Sequence, residues 1–98
     1  MENEIQQTLA LTLQKKWEIL PPDVPSDANL QLLLAERIGE MLKDELENLL
    51  FIMYRMDIDE QAFQNAMKLG SIPEIAQKIA ELVIKRELQK IHTRKFFV

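Results

Sequence analysis

The sequence predicts a small all-α bundle of about four helices, on three observations. Apolar residues recur at three- and four-residue spacing through most of the chain, and no run alternates with period two. The four prolines fall between the periodic stretches or at the start of one. Ninety-eight residues suit a single helical domain, 1–98, with a thin core.

In the first stretch, 4–20, Ile5, Leu9, Leu13, Trp17 and Leu20 keep helical spacing with Lys15, Lys16 and Glu18 between them, and Pro21 and Pro22 should end it. Three prolines in five residues make 21–26 a stiff connector, after which Ser26 or Asp27 can cap the next helix. That helix is expected over 27–56, with Leu30, Leu34, Ile38, Leu42, Leu46, Leu49, Met53 and Met56 on its beat. Thirty residues would make a rod of ~45 Å. Such a rod exceeds the breadth of a chain this short, so it should bend at Gly39 or protrude and pair with another copy.

Residues 49–54 are apolar on every side, which one buried face cannot satisfy; the segment is either central in the fold or part of an interface. Asp57 or Asp59 can cap a short helix over 59–69, closed by a left-handed Gly70. Ser71 and Glu74 then read as a capping box, with Pro73 tolerated in the first turn. The last helix, 72–94, should bury Ile72, Ile75, Ala76, Ile79, Leu82 and Val83. A second stripe, Ile84, Leu88 and Ile91, asks for a second neighbour.

Composition narrows function. There is no Cys, so disulfides, thiolate metal sites and a catalytic thiol are excluded, and a reducing cytoplasm is the default compartment. The opening MENEIQQ lacks the basic and apolar segments of a signal peptide, and no apolar run approaches the ~20 residues of a membrane span. Net charge is −4, divided as −8 over residues 1–84 and +4 over 85–98. An acidic body repels phosphate and membrane surfaces. The basic end, Arg86, Lys90, Arg94 and Lys95, could still contact an anion locally, or simply complement the negative end of a helix dipole.

Catalytic groups are scarce. His92, the only histidine, lies among cations without a carboxylate beside it and reads as solvated. Glu36, Glu40, Asp44 and Glu47 stack on one helix face, but the Glu-x-x-His motif of di-iron bundles is absent, since 89–92 read Gln-Lys-Ile-His. The two glycines stand 31 residues apart, which leaves no phosphate loop. Residues 66–79 approach the offsets of a helix-turn-helix, yet Pro73 and Glu74 sit where its recognition helix would meet DNA. No catalytic, cofactor-binding or metal residue is assigned, and no cofactor is implied.

Partner surfaces are the better prospect. Ile84, Leu88 and Ile91 with the terminal Phe96 and Phe97 form one candidate docking surface; Phe51, Tyr54 and Arg55 have the composition of interface hot spots or of core. The expected function is a non-enzymatic protein–protein interaction module that self-associates as a homo-oligomer, for example a dimer, or binds another protein. An accessory nucleic-acid role through the basic end is the alternative, disfavoured by the acidic body, and no membrane partner is expected.

Across 36–97, the strings AERIGEML, LLFIMYRMDIDEQAF and IAQKIAELVIKRELQKIHTRKFF resemble a family of small helical bacterial proteins without assigned activity. Its pattern is a "YRIDV"-like step after a long helix, here Tyr54 to Ile58, then a last helix ending in basic residues and Phe. The resemblance implies a bacterial cytoplasmic protein and supplies no catalytic residues. Physically, Asp57 can cap a helix at that step, with Arg55 placed to pair with it or with the carbonyls ending the long helix.

Overall fold

A computed structural model describes the backbone of residues 2–20 and 23–97, and the side chains of 4–20 and 23–94. The described residues form five helices and no strand: α1 (Glu2–Trp17), α2 (Asp27–Asp44), α3 (Leu46–Arg55), α4 (Glu60–Met67) and α5 (Ile72–Phe97). The fold is therefore all-α, with one helix more than expected. The longest helix is the last one.

The expected helix over 27–56 is two helices, and the division falls at Glu45, not at Gly39. Glu45 leaves helical geometry, with φ −139° and ψ 44°. On α2 the buried row is Leu30, Leu34, Ile38 and Met41, and four residues further on stands Glu45, a carboxylate where a straight helix would need an apolar side chain. Breaking there turns Glu45 outward onto Arg37, Oε2 to Nη1 3.0 Å, and lets Leu49, Met53 and Met56 return to the core. Leu46, placed on the beat by spacing, is exposed, and Leu42 is half-buried. Gly39 stays helical against α5, where a Cβ would lie 3.9 Å from that of Ala76. The break keeps the longest dimension at 37 Å.

α2 and α5 form the central pair. They run antiparallel: Gly39 faces Ala76, while Asp27 and Gln31 share a groove with Leu88 and His92. α1 lies alongside both, parallel to α2, because Gln6 near its start bonds Asp27 and the Trp17 carbonyl at its end accepts from Arg37 Nε at 3.0 Å. Ile5 is half-buried and Leu9, Leu13 and Trp17 are buried. The helix stops earlier than the prolines require, at a left-handed Glu18 with φ 58°, and that reversal buries Ile19 and exposes Leu20. Residues 21 and 22 of the expected connector lie outside the described residues.

Capping follows the sequence closely. Ser26 and Asn29 form a reciprocal capping box on α2, 2.8 and 3.2 Å, and Asp59 accepts from the Ala62 amide at the start of α4. At α5 the Ser71 hydroxyl accepts from the Glu74 amide and donates to the Glu74 carboxylate, so the pair caps without the back-bond to the Ser71 amide. Gly70 is not left-handed, because α4 ends at Met67 in a tighter turn that bonds Leu69 to Ala66. Ile72 is correspondingly more exposed than spacing implied.

Candidate functional site

The end of α3 explains how its surface is held. Met56 closes the helix, Asp57 takes the left-handed conformation at φ 58°, and two backbone bonds run back, Asp57 to Tyr54 and Ile58 to Met53. This is a Schellman ending with Asp where Gly is commoner, and Ile58 supplies its usual apolar contact with the core. Arg86 of α5 secures it: Nε donates to the Met56 carbonyl at 3.2 Å, and Nη2 lies 3.9 Å from Asp57. The partner expected for Asp57 and the carbonyls was Arg55. Arg55 instead lies over the Phe51 ring, 5.6 Å from its centre, at cation–π range.

Fixed in this way, α3 is apolar on both faces. Leu49, Met53 and Met56 point into the core. Leu46 and Leu50, at the edge of that face, are each 42% exposed, and Phe51 and Tyr54, turned further away from it, are 58% and 85% exposed. Helical geometry places 46, 50 and 54 on one row and 47, 51 and 55 on the next, so the four apolar side chains adjoin one another. Side chains at those exposures present on the order of 400 Å² of apolar surface, within the ~300–600 Å² of patches that are often functional on monomers. A cleft of about 810 Å³ runs from this face toward α4, with Leu50, Met53, Tyr54, Ile58 and Phe63 on its apolar wall and Asp57, Asp59 and Glu60 on its acidic one. Of the two fates open to residues 49–54, the outer half takes the exposed one.

The docking surface expected on α5 is not free. Ile84 and Ile91 are buried in the core and Leu88 is half-buried against it, because α1, α2 and α4 all pack on this helix and absorb its second stripe. The side chains of Phe96 and Phe97 lie outside the described residues.

The expected anion contact is dispersed for a similar reason. Arg86 is committed to the end of α3, and Lys90 lies half-buried, 3.9 Å from Glu87. Burial lowers the Lys90 pKa below the usual lysine value; Glu87 opposes this, while Lys16, Arg86 and Arg94 add to it. Arg94 is exposed, and the Lys95 side chain is outside the described residues. His92 is exposed, as are Glu36, Glu40, Asp44 and Glu47. Among the described residues no three His, Asp or Glu side chains gather as a metal would require, and no helix is long and apolar enough to cross a membrane.

Sequence reasoning missed one polar feature altogether. Glu87 is the only fully buried charged side chain among the described residues, and its Oε1 accepts from Lys16 Nζ at 2.9 Å, joining α1 to α5 across 71 positions. Its Oε2 and the Trp17 indole N–H have no partner. Two of the surrounding cations are already engaged. In the cleft of about 430 Å³ beside Trp17, Lys16 serves Glu87 and Arg37 serves the Trp17 carbonyl, Glu18 and Glu45, while Arg55, which also lines it, lies over the Phe51 ring. The interior position of Glu87 on α5 was the available signal, but its partner is remote in sequence.

No family model matches the chain, and neither the curated proteins nor the solved structures provide a match. Function therefore rests on the surface just described.

Proposed function

We propose that this protein is a non-enzymatic helical interaction module that self-associates through the outer face of α3. One observation carries this reading: Leu46, Leu50, Phe51 and Tyr54 stand exposed side by side on a helix whose inner face anchors the core. Exposed aromatics beside an arginine are the composition of interface hot spots. The patch is smaller than the ~800 Å² per partner of a standard interface, which predicts weak, concentration-dependent association.

Sedimentation velocity from about 10 µM to about 1 mM tests it. The expected result is a mass that rises toward a dimer and stays monomeric in Tyr54→Glu, with the Tyr54→Glu fold intact by circular dichroism. A wild-type monomer at the highest concentration overturns the proposal.

A further inference from the structure

Building on that reading, we infer that two copies pair their α3 helices antiparallel about a two-fold axis at Phe51, with Glu47 of each copy joined to Arg55 of the other. Glu47, Phe51 and Arg55 are spaced at four residues and lie on one exposed row of α3. At 1.5 Å per residue, Glu47 and Arg55 stand ~6 Å to either side of Phe51 along the axis. The row reads acid, aromatic, base. Reversing a second copy over it brings base onto acid and acid onto base, and a two-fold axis makes both contacts at once.

The two charges are free to do this. Among the described residues neither Glu47 nor Arg55 has an ion-pair partner within 4.0 Å, whereas Arg37, Lys16 and Arg86 all do. Each also complements its own end of the α3 dipole, which favours the charge being present without occupying it in a contact. Stacking on Phe51 holds the Arg55 guanidinium beside the proposed axis. In this arrangement Phe51 meets Phe51 at the centre, and Leu50 and Tyr54 pack along one side. A same-direction pairing would oppose like charges and gain nothing from the row.

Exchanging the charges tests the register separately from the docking face. Glu47→Lys and Arg55→Glu each set like charges opposite each other twice, and each should weaken self-association on the order of ten-fold. Mixed in equal amounts, the two variants restore both pairs, one in the wild-type polarity and one reversed. Association near the wild-type level in the mixture, and not in either variant alone, is the expected result by sedimentation. Both positions are exposed, so each variant should keep the wild-type helical content, with a melting temperature lowered by only a few degrees where the reversed charge opposes the α3 dipole. If the wild type dimerises but the variants do so equally well, or the mixture shows no recovery, the register is wrong and the α3 reading stands. If the wild type is monomeric at about 1 mM, both fall.

Discussion

α3 and the middle of α5 share a sequence pattern and meet opposite fates. Each carries apolar residues around more than one face: Leu49, Met53 and Met56 with Leu46, Leu50, Phe51 and Tyr54 on α3, and Ile79 and Val83 with Ile84, Leu88 and Ile91 on α5. On α5 the second stripe is covered, because α1, α2 and α4 all pack against that helix. On α3 it is bare, since this short helix leans on the core by one side only and Arg86 ties its end in place. Surplus apolar surface in a sequence thus signals a need for a neighbour, and whether the same chain provides it depends on how many helices reach that point.

The sharpest way to break the comparison is to truncate one residue of each second stripe. Ile84→Ala should cost about 3 kcal/mol of unfolding free energy in urea titration, as for other buried isoleucines, while Phe51→Ala, which loses a partly exposed ring and its Arg55 contact, should cost the monomer about 1 kcal/mol or less. Equal losses at dilute concentration would place Phe51 in the monomer core and end the contrast. Next in size is the polar contact by which α1 covers α5. Lys16→Met leaves the Glu87 carboxylate buried without its closest cation, and should cost about 2 kcal/mol, moderated by the partial exposure of Lys16 and by Lys90 nearby. Adding Glu87→Leu should return part of that loss, which a double-mutant cycle reads directly. The smallest effect is expected where the two regions touch. Arg86→Ala removes the bond to the Met56 carbonyl and should cost about 1 kcal/mol, with the earliest loss of hydrogen-exchange protection in α3. Protection lost first in α1 or α4 instead would show that Arg86 does not hold α3.

Several details were legible because their physics is local. Ser71 caps the helix it was expected to cap, and of the alternatives Ser26 or Asp27 and Asp57 or Asp59 it is Ser26 and Asp59 that serve, since a cap needs only a side-chain oxygen two or three residues before an amide. The break of the central helix was half legible. Excess length argued that something must give, but Gly39 was favoured on intrinsic helix propensity, whereas the chain yields where charge would enter the core. The polar run Lys43-Asp44-Glu45, followed by Glu47-Asn48 with only Leu46 between, carries that signal. The candidate site was legible as a choice: residues 49–54 could be core or interface, and spacing alone could not divide Leu49 and Met53 from Leu50, Phe51 and Tyr54 before their neighbours were known. The stripe at Ile84, Leu88 and Ile91 was assigned outward for the same reason, in the opposite direction.

By itself, the sequence determined that this protein is all-helical, where most of its helices begin, and that it has more apolar surface than one row per helix can bury, because periodicity, capping and turn chemistry act over a few residues. Only the tertiary structure decided which surplus stripe is covered, that Glu87 is buried against Lys16, and that Arg86 rather than Arg55 secures the end of α3. Those outcomes turn on contacts between positions 30 to 71 residues apart, and contacts at that range depend on how whole helices pack, which no local pattern encodes.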